Sequence, residues 1–123
     1  MKVINTTKAP KAIGPYSQGF IIDNIVYTSG QIPVNSTTGE IPTNIKEQAE
    51  QSCLNIKAVL EKADTDLTKV FKTTCFLSDM QLFSQFNEVY AKYFTSNPAR
   101  SCVAVKELPK GVLCEIEAIA VIK

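Results

Sequence analysis

Two rhythms of hydrophobic and polar residues run through this chain. Between residues 44 and 63, Ile45, Ala49, Cys53, Ile56, Val59, Leu60 and Ala63 recur at steps of three and four, the spacing that gathers apolar side chains on one face of an α-helix. Pro42 closes the preceding loop, Thr43 or Asn44 can cap the helix, and Glu47 stands in its first turn. A second stripe over 81–94 unites Leu82, Phe83, Phe86, Val89, Tyr90 and Phe94; aromatic stripes at helical spacing read as core. The remaining apolar runs have the β rhythm. "GFIIDNIVYTSG" reads as two strands about a tight turn at Asp23-Asn24. Residues 68–79, rich in β-branched and aromatic side chains, read as a strand. Beyond Pro98 come a strand over 100–106, a turn at "LPKG" and a long strand over 112–122. "PKAIGPYS" (10–17) and "QIPVNSTTGEIPTN" read as loops.

The predicted order is β-β-α-β-α-β-β in one domain spanning 1–123. Two helices cannot cover both faces of a sheet of about five strands, so an α+β arrangement with both helices on one face is expected. In the last strand Val112, Cys114, Ile116, Ala118, Ala120 and Ile122 line one side, and Leu113, Ile119 and Val121 share the other with Glu115 and Glu117. A strand apolar on both sides, in a chain with too few helices, points to a second subunit over one face.

Composition narrows the chemistry. Thirteen basic residues against twelve acidic give a net charge of +1, with no basic stripe for nucleic acid or an anionic membrane. No apolar run approaches the length that spans a bilayer, and "MKVINTTKAP" has no signal-type apolar segment, so a cytoplasmic location is expected. The four cysteines then read as reduced thiols, mostly in the core. The chain has no histidine, which excludes Ser-His-Asp and Cys-His triads and most catalytic zinc sites. No metal and no cofactor are called for.

Several residues stand out against this background. Arg100, Cys102 and Ala104 of "NPARSCVAV" share a strand face; a guanidinium at the mouth of a strand suits a carboxylate held bidentately, although most arginines are surface residues. Cys102 reads as a small buried side chain, not a nucleophile. Glu115 and Glu117 either pair with lysines at a surface or subunit contact, or one is a general acid/base whose proton affinity is raised by burial; the residues alone favour pairing, for Glu117 more than Glu115. Gly14 and Gly30, in "IGPYSQG" and "YTSGQIP", can expose backbone N–H groups to a ligand, yet each read alone is a simple turn.

Taken in order, "AIGPYSQG", "TSGQIPVN", "TGEIP", "PARSCVAVKELPKG" and "EIEAIAV" resemble the Rid proteins, the reactive intermediate deaminases also called YjgF or L-PSP, along essentially the whole chain. The resemblance implies a chorismate-mutase-like (YjgF-like) mixed sheet and a homotrimer with ligand sites between subunits. It also implies hydrolysis of 2-imino acids, such as 2-iminopropanoate and 2-iminobutanoate, to 2-keto acids and ammonia without metal or cofactor. By the same resemblance Arg100 clamps the substrate carboxylate, Cys102 lines the pocket, and Glu115 orients the attacking water and moves protons to the leaving ammonia. Tyr16, Ser29, Gly30 and Asn87 complete the expected site. One departure concerns specificity: many relatives carry a longer loop with an aromatic residue before "PARS", whereas here "YFTSNPARS" is short and has Asn97.

Two other functions compete. Some Rid relatives are described as endoribonucleases on single-stranded RNA, which the balanced charge argues against. A non-catalytic trimer that binds small carboxylates would keep the Arg100 clamp and tolerate loss of Glu115.

Overall fold

The computed structural model describes residues 1–123. Six strands form one mixed sheet: β1 (Lys2–Ile4), β2 (Gly19–Ile22), β3 (Ile25–Thr28), β4 (Val70–Leu77), β5 (Ala99–Ala104) and β6 (Cys114–Val121), with α1 (Ile45–Lys62) and α2 (Phe83–Tyr93) between them. The strand order is β1-β2-β3-β6-β4-β5; only β4 and β5, joined through α2, run parallel. No helix is long and apolar enough to cross a membrane.

Most elements sit within a few residues of the sequence reading, and the differences have local causes. Strand β1 was not expected: its three residues bury only Ile4 and offer no period to read. Pairing to β2, with Ile4 opposite Gly19, makes it a strand. Residues 67–69 leave the predicted fourth strand for a 3₁₀ turn capped by Asp66, whose carboxylate accepts from the Thr68 N–H. Residues 80–82 likewise form a 3₁₀ turn ahead of α2, capped by Asp79. Asn44 caps α1, accepting from the Glu47 N–H at 2.9 Å, a contact worth about 1 kcal/mol to a helix. Asp23 takes a left-handed φ of 54° in the two-residue turn that pairs Ile22 with Ile25, a conformation Asp tolerates better than most side chains.

Both helices cover one face. The core packs Ala49, Cys53, Ile56, Val59 and Leu60 of α1 and Phe86, Val89 and Tyr90 of α2 against Val26, Cys75, Leu77, Cys114, Ile116, Ala118 and Ala120. Registers then assign every strand side chain to a face. Thr73, Cys75 and Leu77 stand opposite Ala118, Ile116 and Cys114 on the covered side; through the parallel ladder they also face Arg100, Cys102 and Ala104. Lys72, Thr74 and Phe76 stand opposite Ile119, Glu117 and Glu115 on the open side. Tyr27 and Val103 on that side remain more than 40 % exposed, so the open face of this chain is a mixed apolar and acidic surface.

Candidate functional site

The sheet divides the predicted site residues into two groups. On the covered side at the β5 edge, Arg100 Nη1 donates to Asn87 Oδ1 at 2.7 Å. Its guanidinium lies 4.7 Å from the centroid of the Tyr90 ring and 5.4 Å from that of Phe83, both within cation–π range. Tyr90 is itself fixed by a buried 2.7 Å hydrogen bond with Thr73 and by stacking on Phe94 with centroids 4.6 Å apart. Arg100 has no carboxylate partner: the one ion pair of the chain joins Lys46 to Glu88. A half-buried cation seated on two aromatic faces, with one neutral acceptor, has guanidinium N–H groups left for an anion.

Cys102 completes this group. It stands opposite Cys75 across the parallel ladder, and both are free thiols. A hydrogen bond from the Cys75 thiol, then the positive charge of Arg100, hold the Cys102 thiol below the ordinary thiol range despite partial burial. The same hydrogen bond and burial push Cys75 upward.

The second group lies around Gly30. Gln31 bridges to β6, its N–H donating to the Ile116 carbonyl at 2.7 Å and its carbonyl accepting from the Ile116 N–H at 3.2 Å. This carries the Gly30 backbone against the neighbouring Glu115: a Cβ on Gly30 would lie 2.8 Å from the Glu115 carboxyl carbon, closer than real Cβ contacts allow. Glu115 is half-buried, and desolvation, assisted by Glu117, raises its proton affinity above that of an ordinary carboxylate. Ser29 donates its hydroxyl to the Ser17 carbonyl, and its N–H donates to the Gln18 carbonyl at 2.8 Å. The buried Gln18 amide donates to the carbonyls of Thr6 and Pro10, folding the loop that presents Tyr16. Tyr16 and Gly30 line a cavity of about 190 Å³, together with Ile13, Ile32, Lys11 and Lys110.

Arg100, Cys102 and Asn87 thus come together on one side of the sheet, and Glu115, Gly30, Ser29 and Tyr16 belong to the other. Within one chain the two groups do not converge. The aromatic stripe of α2 is core, as its period indicates, but Phe83 and Tyr90 also form the shelf under Arg100. That second role depends on the parallel β4–β5 register, which has no local signature. No cluster of three or more metal-ligating side chains is present.

Comparisons with known proteins agree with this architecture. The family model described as Endoribonuclease L-PSP matches residues 6–122. The chain is 50% identical to the 2-iminobutanoate/2-iminopropanoate deaminase of Escherichia coli (strain K12), covering 98% of this chain and 97% of that protein. It is 51% identical to a RutC family protein of Haemophilus influenzae, over 99% and 98% of the two chains. The crystal structure of the YjgF gene product from E. coli superposes with a TM-score of 0.96 at 48% identity, covering both chains entirely. That of E. coli TdcF with bound serine gives 0.95 at 47%, covering 98% of each. Matched along nearly its whole length in sequence and fold, the chain belongs to the L-PSP family, the Rid/YjgF proteins.

Proposed function

We propose that this protein hydrolyses small 2-imino acids to 2-keto acids and ammonia, at sites assembled from the two groups of residues contributed by different copies of the chain. The observation that carries this reading is Arg100: a half-buried guanidinium on an aromatic shelf with no protein counter-ion. A substrate carboxylate would supply the missing charge in a bidentate pair. The deaminase name of the E. coli relative and the serine held by TdcF support a small amino-acid-like ligand.

The chemistry asks little of the protein. An iminium carbon is already electrophilic, so holding the anion and presenting a water accounts for most of the catalysis. Glu115 fits the second task, because partial burial moves its proton affinity toward neutrality, where a carboxyl group can take a proton from water and pass it to departing ammonia. Gly30 leaves the space this carboxylate occupies. Cys102, Asn87, Tyr16 and Ser29 would line the cleft, and the cavity beside Tyr16 and Gly30 would receive the substrate's side chain. Because Arg100 and Glu115 lie on opposite sides of one sheet, the site needs a second copy; a homotrimer is the arrangement proposed, and it would also cover the open face.

The test is imine hydrolysis by the purified protein, with imines generated in situ by an amino-acid oxidase and semicarbazide trapping to report their lifetime. Faster imine loss by the wild type but not by Arg100→Ala supports the reading. No acceleration with small aliphatic or aromatic imines would refute it, leaving carboxylate binding without turnover.

A further inference from the structure

The four cysteines fall into two neighbouring pairs with opposite prospects. Cys53 of α1 and Cys114 of β6 are fully buried in the core. Cys114 Sγ lies 3.8 Å from the Ser52 hydroxyl, and burial pushes its thiol up to about 12 and that of Cys53 higher still. Neither forms a thiolate that a solute can meet. Cys75 and Cys102 differ in each respect. They stand directly opposite on parallel strands with side chains on the same face. Adjacent strands run about 4.8 Å apart, inside the Cα separation that a disulfide spans. Cys102 is partly exposed, lies on the edge strand β5, and has Arg100 two residues away on its own face.

We propose that Cys102 and Cys75 are a redox-active dithiol within the ligand site, converted to a Cys75–Cys102 disulfide by small hydroperoxides. The Cys102 thiolate attacks one peroxide oxygen, and the O–O bond breaks. Sulfur loses two electrons to become a sulfenic acid, and the other oxygen leaves as alkoxide or hydroxide and takes up a proton. The Cys75 sulfur then attacks the sulfenic sulfur; the S–O bond breaks, and the hydroxyl leaves as water with the Cys75 proton. In sum, two thiols and a hydroperoxide give a disulfide, an alcohol or water from the peroxide, and one further water. An external dithiol reverses the change by exchange. The groups facing Cys102 favour the first step: Arg100 on its own strand and the donating Cys75 on the neighbouring strand both stabilise the thiolate, and no carboxylate contributes to its titration.

The cross-link stands on the thiols alone, whereas its effect on imine hydrolysis rests on the function proposed above. With Cys102 tied to Cys75, the thiol beside Arg100 is lost, and the oxidised protein should turn over imines more slowly until reduced.

The experiment treats the native full-length protein with hydrogen peroxide, blocks remaining thiols with iodoacetamide after unfolding, and maps the peptides by mass spectrometry. A Cys75–Cys102 linked peptide that dithiothreitol removes, with Cys53 and Cys114 still alkylated, is the expected result. In Cys75→Val, Cys102 should instead be trapped by dimedone and then advance to sulfinic acid that dithiothreitol does not reverse. Wild-type Cys102 that stays a thiol, or reaches sulfinic acid as it does in Cys75→Val without ever linking to Cys75, would overturn the proposal. Peptide mapping does not depend on activity. An unlinked pair in a working deaminase refutes the dithiol alone, and a linked pair in a protein inert toward imines refutes the proposed function alone.

Discussion

The covered and open faces of the sheet prepare opposite charges by opposite means. On the covered side, Arg100 is held by contacts from three directions: the Tyr90 ring, the Phe83 ring and the Asn87 amide oxygen. Its position is set before any ligand arrives, which lowers the entropy of binding an anion. On the open side, Glu115 has no protein hydrogen-bond donor and owes its raised proton affinity to desolvation and to Glu117. Packing positions the cation; exclusion of water tunes the acid. A site that joins the two would combine a rigid clamp with an adjustable proton carrier.

Substitutions can break this comparison, the largest effect first. Arg100→Ala should lower kcat/KM for imine hydrolysis by about 10³-fold, since it removes both charge and fork, without changing oligomeric state by light scattering. Glu115→Gln should lower kcat by about 10²-fold with little change in affinity for a 2-keto acid, the pattern of a lost proton carrier. Equal losses in both would mark Glu115 as structural. Phe83→Ala tests the shelf: a cation–π contact of about 0.5–1 kcal/mol predicts a few-fold rise in KM and a nearly unchanged kcat.

Glu115 also gives the comparison a pH signature. Its folded-state pKa lies above the ordinary carboxylate value, so the neutral acid is the form the fold prefers. That preference contributes stability below the ordinary carboxylate pKa and is lost as pH rises through the raised value. Glu115→Gln should therefore have a higher Tm than wild type at neutral pH, by a small margin because the group is only half-buried, and the margin should close on acidification. If Glu115 acts as a base, the acid limb of the rate profile should lie at a higher pH than for an ordinary carboxylate.

The repeating elements were legible because their periods are physical. The steps of three and four through Ile45, Ala49, Cys53 and Ile56 mark a buried stripe, and all four residues are buried in α1. The alternation in 112–122 identified which side of β6 carries Glu115, because a strand offers only two faces. Long-range placement was not legible. The bridge from Gln31 to Ile116, which brings Gly30 against Glu115, joins residues far apart in sequence. The pairing of Cys75 with Cys102 follows from a parallel register that neither strand encodes alone. The resemblance to the Rid proteins named both groups of site residues; their separation by the sheet emerged only in three dimensions.

That separation supplies the most direct test. Arg100→Ala and Glu115→Gln each damage one half of the proposed site, so subunits of the two variants can be mixed, exchanged under mild denaturant and refolded together. If sites form between copies of the chain, random mixing should restore both intact halves at about a quarter of them, and imine hydrolysis should rise well above that of either variant alone. A mixture no more active than its parents, with subunit exchange verified by mass spectrometry, would contradict a site built from two copies.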